Sequence, residues 1–349
     1  CRVIVLERES QPGYHTTGRS AAIYSQNYGN RAIRALTLAS HAFFKENSRE
    51  ISEHPFLSPR GAMFVAREDQ LAALESAFAE AHALVPSVRL IDRAEAIRIS
   101  PVLNPEFAAG AIYEPHASDI DVHALHGYFL KEFQKRGGSV VTDAEVGAIT
   151  RDGDLWNIKT PAGNYAAPIV VNAAGAWCDM IADMAGVRPI GLVPKRRTVF
   201  TFDPPPGLDI SSWPLTVDID ETFYFKPDAG KILASPADET PSPACDAQPE
   251  EIDVAIAIDR LQTVTSLQVR AISHKWAGLR SFVADKTPVV GMDDGAEGFF
   301  WLAAQGGYGI QSAPASGRTV ATLILNGSLP DDLIEMGLRE ADLSPQRLR

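Results

Sequence analysis

The first apolar run, Val3-Ile4-Val5-Leu6, ends in Glu7 and predicts a short buried strand. A polar, glycine-containing loop follows from Gln11 to Gly18, then Arg19-Ser20-Ala21-Ala22. Ile33, Leu36, Ser40 and Phe43 recur at helical spacing and predict an amphipathic helix from Arg31 to about Phe44. Ala62-Met63-Phe64-Val65 reads as a strand, and Leu71, Leu74, Phe78 and Val85 mark a helix ended by Pro86. Asp121 caps a further helix with inner face Val122, Leu125, Phe129 and Phe133, and Gly137-Gly138 stops it.

The period then changes. Leu155 to Thr160 lies between turn signals at Asp152-Gly153-Asp154 and Pro161-Ala162-Gly163, which predicts a small antiparallel meander. Ile169-Val170-Val171 is apolar throughout, as a strand of a parallel sheet is, and runs into Asn172-Ala173-Ala174-Gly175. From about Arg196 to Asp238 the pattern alternates, with turns at Asp220-Glu221 and Asp228-Ala229-Gly230. Phe299 to Ala304 is a last apolar strand, followed by Gln305-Gly306-Gly307-Tyr308-Gly309-Ile310 and a helix through Val320 and Leu323. Pro314 is expected in that helix's first turn. Parallel-type strands that run into small-residue turns thus alternate with antiparallel segments. This predicts an α/β nucleotide-binding domain assembled from separate pieces of chain, with a second, mixed-sheet domain inserted.

Length supports two domains, since 349 residues exceed one ordinary core. A net charge of −12 argues against a nucleic-acid partner, which needs a basic face. No apolar run approaches the roughly 18 residues of a membrane span. Cys1, Cys178 and Cys245 form no C-x-x-C pair, so neither a disulfide framework nor a zinc site is expected, and a reducing cytoplasm fits. The histidines show no metal-ligand spacing, and neither a G-x-S-x-G elbow nor a P-loop is present.

Three small-residue turns remain as candidate chemistry: the loop up to Ala22, Ala173-Ala174-Gly175, and Gly306 to Gly309. Small residues let backbone N–H groups approach a phosphate or planar ring, and a helix N-terminus adds positive potential. Arg197 and Arg280 are candidate carboxylate forks. Tyr28 and Tyr224 are candidate hydroxyl donors. Glu7 has the place of the acid that holds a ribose at the end of the second strand of a dinucleotide-binding unit. The first strand and its G-x-G-x-x-G turn would then lie roughly 20 residues earlier. They would fall before residue 1, and the chain as written would lack the main pyrophosphate cradle.

Taken in order, Val3 to Glu9, Gly13 to Ala22, Val171 to Cys178, Pro194 to Arg197, Phe223 to Gly230, Trp276 to Ala284 and Gln305 to Ile310 resemble the glycine/D-amino-acid oxidase (DAO) family of flavoproteins. Within it the resemblance is closest to the D-arginine dehydrogenase type. It implies a Rossmann-like FAD domain of residues 1–54, 119–190 and 281–349. Residues 55–118 and 191–280 would form a substrate domain roofing the flavin. Glu7 and Arg8 would meet the adenosine ribose, and Val146 would pair with the adenine. Thr16, Thr17, Gly18, Arg19, Ser20, Ala21, Ala22 and Ile23 would wrap the pyrophosphate and flavin. Ala174 and Gly175 would pack near the cofactor, with Gly306, Gly307, Tyr308, Gly309 and Ile310 at the pyrimidine end of the ring. Arg197 and Arg280, helped by Tyr28 and Tyr224, would bind the substrate carboxylate, and the Gly307 carbonyl would accept from its amine.

The implied reaction passes a hydride from the α-carbon of a D-amino acid to flavin N5, leaving an imino acid that water hydrolyses to a 2-oxo acid and ammonia. No side chain is nominated as general base. The arginine-preferring type has a glutamate after a Ser-Pro-Arg-Pro stretch. Here the run is Ser58-Pro59-Arg60-Gly61-Ala62, and Ile23 replaces a pocket histidine, so neutral, apolar D-amino acids are expected. The cysteine used for covalent flavin attachment near Arg280 is absent, so non-covalent FAD is expected. Oxidation of sarcosine-like secondary amines or 2-hydroxy acids is the alternative within the class. An FAD-free or inactive binding protein is the alternative outside it. The sequence names no electron acceptor.

Overall fold

The computed structural model describes residues 1–50 and 55–349. The chain enters as β1 (Ile4–Leu6), crosses the loop to β2 (Ile23–Tyr24) and forms α1 (Arg31–Glu50). Asn30 starts α1, its Oδ1 accepting from the Ile33 N–H at 3.2 Å, and Ala32, Ile33, Ala35 and Leu36 are its buried stripe. Next come β3 (Leu57–Pro59), β4 (Ala62–Ala66), α2 (Leu71–Leu84), β5 (Arg89–Asp92), α3 (Arg93–Ile99), β6 (Gly110–Glu114) and β7 (Ser118–Ile120). Asp121 caps α4 (Val122–Lys135), accepting from the Ala124 N–H at 2.8 Å. Then follow β8 (Ser139–Val141), the meander β9 (Ala148–Asp152), β10 (Leu155–Thr160) and β11 (Gly163–Ala167), and β12 (Val170–Asn172) before α5 (Cys178–Met184).

The second half supplies β13 (Val193–Phe202), β14 (Leu215–Asp218), β15 (Tyr224–Asp228), β16 (Lys231–Ser235), β17 (Thr240–Pro241) and α6 (Glu251–Val264). It closes with β18 (His274–Phe282), β19 (Val289–Met292), β20 (Phe299–Ala303), α7 (Gly309–Asn326), α8 (Asp331–Glu335) and α9 (Glu340–Leu343). The expected domain boundary at 54/55 borders residues 51–54, which lie outside the described residues.

A nine-stranded mixed sheet runs β17-β13-β16-β15-β14-β4-β6-β5, with β18 also on β13. Its two faces do different work, and the pleat decides which residue goes where. Met63, Val65, Phe200, Phe202, Phe225, Ile232 and Ala234 point to one side and pack with Val254, Ala257, Leu261 and Val264 of α6. The alternate positions Ala62, Phe64, Val199, Leu215, Val217 and Tyr224 line a cavity on the other side.

Besides β4 and β14 within the large sheet, parallel pairs form two small sheets, β1 beside β8 and β12 beside β20 with β19 antiparallel. Their ends meet where the Arg8 guanidinium lies 5.3 Å over the ring of Trp177. The sheet of β12, β20 and β19 is sandwiched between a core of Trp156, Cys178, Phe299 and Trp301 and a second core. That second core joins Phe300 to α1 and α7 through Leu36 and Ala315.

Two expectations are corrected. The opening strand is not buried: Val3, Ile4 and Val5 are exposed. Among the described residues β1 pairs only with β8, and of its own residues Leu6 alone packs against a core. Pro314 is not in the first turn of its helix but inside α7, which begins earlier, at Gly309. Proline there leaves the Ile310 carbonyl without its helical donor, at a cost of about 3 kcal/mol. The next N–H, that of Ala315, turns to Ser40 Oγ on α1 at 3.1 Å, and tight α1–α7 packing carries the defect.

Candidate active site

The cavity has a volume of about 410 Å³ and lies between the large sheet and three small-residue turns. Pairing of β13 with β18 sets Arg197 opposite Gly278, and Arg280 one pleat further along the same face. Both guanidinium groups therefore border the cavity, and the missing side chain at Gly278 keeps the space between them open. Pairing of Val217 with Tyr224 and with Phe64, and of Leu215 with Ala62, puts these side chains in the same ceiling.

The two arginines are not equivalent. Arg197 is buried, donates to the Asp238 carbonyl at 2.8 Å, lies 3.6 Å from the Glu239 carboxylate and stands 6.0 Å over the Tyr224 ring. Arg280 has no carboxylate partner among the described residues. Burial opposes its charge, and the upward direction of its pKa comes from Tyr28, Tyr224 and Tyr308, whose oxygens are charged only at the high pH where a guanidinium titrates, so at neutral pH the burial cost is not offset by a counter-charge. Tyr28 and Tyr308 pack at a tilt with ring centroids 4.7 Å apart, and burial raises the Tyr308 phenol well above its usual range. A half-buried cation among neutral phenols, with no carboxylate of its own among the described residues, is suited to an anion brought by a ligand.

The floor is built by backbone. The Thr16 hydroxyl donates to the Leu279 carbonyl at 2.9 Å, and Trp276 Nε1 donates to the Arg19 carbonyl at 2.9 Å. Arg19 Nη1 reaches the carbonyls of Ala247 (2.9 Å) and Ala277 (3.1 Å), and its other end pairs with Asp246. These bonds lash the loop 13–22 to β18. Gly175 has φ +56°, and a Cβ there would project into open space. Ala21, Ala22, Ala173, Ala176, Gly306, Gly307 and Gly309 complete a small-residue surface at the start of α7. A flat ring with a negatively polarised edge fits such a surface, since the helix N-terminus faces it.

Of the residues expected at the cofactor, Thr16, Thr17, Arg19, Ser20, Ala21, Ala22, Ile23, Gly175, Gly306, Gly307, Gly309 and Ile310 border the cavity. So do all those expected at the substrate: Tyr28, Ala62, Arg197, Tyr224, Arg280 and Gly307. Gly18, Ala174 and Tyr308 are not among the lining residues, and neither are Glu7 and Arg8, which follow β1, or Val146, which lies between β8 and β9. Sequence reading missed Ser25, Phe64, Val199, Leu215, Val217 and Glu221. Four of these are alternate positions of β4, β13 and β14, a signal legible only once the register of the strands is known.

Gly307 gives a direct test of how Arg280 is placed. A Cβ at 307 would fall 2.8 Å from Arg280 Cζ, the far end of a flexible side chain, so the guanidinium rather than the backbone would move. G307A is expected to raise KM for the substrate about tenfold, from partial loss of a charge-assisted hydrogen bond worth ~1.5 kcal/mol, with Tm within 2 °C of wild type as a rough bound. Steady-state kinetics and a thermal melt check it.

Comparison with known proteins adds to this geometry. The model of the family described as "FAD dependent oxidoreductase" (DAO) matches residues 1–323. FAD-dependent oxidoreductase domain-containing protein 1 of Xenopus laevis is 25% identical, over 93% of this chain and 74% of that protein. Mitochondrial dimethylglycine dehydrogenase of Mus musculus is 25% identical over 68% of this chain, which corresponds to only 29% of its own length. Among solved structures, L-proline dehydrogenase from P. horikoshii superimposes with a TM-score of 0.82 at 22% identity, covering 99% of this chain and 91% of that one.

Proposed function

The chain belongs to the DAO family of FAD-dependent oxidoreductases, with FAD as its cofactor, and from that premise we propose that it oxidises the α-carbon–nitrogen bond of neutral D-amino acids. The observation that carries this reading is Arg280: a cation at the cavity wall, ringed by Tyr28, Tyr224 and Tyr308 and lacking a carboxylate of its own among the described residues. It asks for a substrate carboxylate, held by two parallel hydrogen bonds. Arg197, already shared with Glu239, adds field rather than a second full clamp.

Bound FAD supplies the acceptor for the hydride lost from the substrate's α-carbon. The residues of this chain do the rest. Thr16 to Ile23 with Gly175 and Gly306 to Ile310 hold the cofactor, and Arg280 with Tyr28 fixes the carboxylate. The Gly307 carbonyl accepts from the amine, and orientation supplies much of the rate. Ala62, Phe64, Leu215 and Val217 exclude water from the side-chain end. Residues 1–54, 119–190 and 281–349 are taken as the cofactor domain in this scheme, and 55–118 with 191–280 as the substrate domain.

The similarity to dimethylglycine dehydrogenase favours a second reading, oxidation of a secondary or tertiary amine such as sarcosine. It needs the same carboxylate fork and differs in the room required at nitrogen. Steady-state rates for neutral D-amino acids, their L-enantiomers, sarcosine, dimethylglycine and 2-hydroxy acids, with an artificial electron acceptor, separate the readings. The highest kcat/KM is expected for a neutral D-amino acid, and a higher value for sarcosine or dimethylglycine would replace the first reading with the second.

A further inference from the structure

Behind the cavity wall lies a polar group that the scheme above leaves unused. Glu114, the last residue of β6, is only 2% exposed, yet its two carboxylate oxygens serve the segment after β2. Ser25 Oγ donates to Oε2 at 2.7 Å, and the Gln26 N–H donates to Oε1 at 3.0 Å. Ser25 itself borders the cavity, and its N–H is fixed by Gln311 Oε1 at 3.1 Å. No described residue donates to Ser25 Oγ. On the far side His116, two residues along the same turn, is exposed and acts on Glu114 electrostatically.

We propose that Ser25 and Glu114 form the proton path by which the substrate ammonium becomes the neutral amine. The inference rests on the amino-acid reading of the cavity. In the step, an ammonium N–H bond breaks and its proton joins Ser25 Oγ as the Ser25 O–H proton passes to Glu114 Oε2. Serine ends as it began, the amine is neutral, and the glutamate is a carboxylic acid that releases its proton to water before the next turnover. No electrons are transferred in this step. Two features favour it. Arg280 and Arg197 share the cavity with the ammonium and oppose its charge. Burial makes Glu114 a stronger base than an exposed carboxylate, its pKa being raised chiefly by desolvation against the opposing bonds from Ser25 and Gln26. The other titratable groups facing it are Tyr24, a phenol pushed up by burial to about 12 and so neutral, and His116.

Glu114 acts through Ser25 and is a positioning residue, so the test is the shape of a pH profile. In wild type, kcat/KM should fall as pH drops through the raised Glu114 pKa. In E114Q that limb should vanish and be replaced by one at higher pH, where the amine loses its proton to water unaided. The variant should be about a hundredfold slower at pH 7, within the usual range for acid–base assistance, and approach wild type near pH 10 as a rough upper point. S25A, which removes only a hydroxyl, should shift the limb in the same way. Benzoate, a carboxylate without an amine, should perturb the FAD spectrum of all three proteins with the same Kd. A uniform drop at every pH, or no change, with benzoate binding intact overturns the proton path alone. Failure of wild type to bind benzoate overturns the carboxylate reading on which the path rests.

Discussion

Replacing Arg280 by Met is expected to lower kcat/KM for the best substrate about a thousandfold without lowering Tm. Two charge-assisted hydrogen bonds to a carboxylate are worth together ~4 kcal/mol, and each 1.4 kcal/mol is a factor of ten. Stability should hold or rise. The guanidinium is held in the wall with phenols but no carboxylate among the described residues, so the unliganded protein carries a desolvation cost that a neutral side chain of similar length removes. R280K keeps the charge and loses the fork, and about tenfold of the activity should return. The opposite combination, a large loss of Tm with modest kinetic change, would make Arg280 a structural residue. Kinetics with a thermal melt in the absence of substrate decide it.

A neutral D-amino acid such as D-leucine is expected to exceed D-arginine in kcat/KM by about a thousandfold. The ceiling expected to receive the side chain consists of Ala62, Phe64, Leu215 and Val217. A guanidinium placed there would be desolvated without a counter-charge, at a cost on the order of 4 kcal/mol. The one carboxylate among the described lining residues is Glu221, in the turn between β14 and β15. It is exposed at the rim, where water already screens it, so E221Q should alter the ratio by less than about threefold. A62E, which puts a carboxylate among the apolar side chains, should narrow the gap by at least about tenfold. Preference for D-arginine or D-lysine in the wild-type enzyme would contradict this account of the ceiling.

Signals written within a few residues were legible in the sequence. Asp121 announced α4, Asp228-Ala229-Gly230 announced the β15–β16 turn, and the strand–turn–helix at Phe299 to Ile310 was read in its order. What failed depended on neighbours distant in sequence. The burial of β1 is decided by what covers it, and along the chain Val3, Ile4 and Val5 read the same whether covered or bare. Pro314 was misplaced because helix α7 is held by packing on α1 rather than by local propensity. Both arginines could be nominated, but only Arg197 has a carboxylate near it, that of Glu239, which Lys195 and Lys286 share, and this follows from where the strands place them. The Ser25–Glu114 pair joins positions 89 residues apart and left no trace in the linear pattern.

The central claim is that the cavity binds a neutral D-amino acid by its carboxylate beside FAD and oxidises it there. Anaerobic titration of the FAD-loaded protein with D-leucine, followed at the visible flavin absorbance, tests this most directly. The expected result is bleaching in proportion to the D-enantiomer added, none with L-leucine, and bleaching slowed about a thousandfold with D-leucine in R280M at the same concentration. Unchanged absorbance with D-leucine in a protein that binds FAD, or equal bleaching by both enantiomers, would refute it.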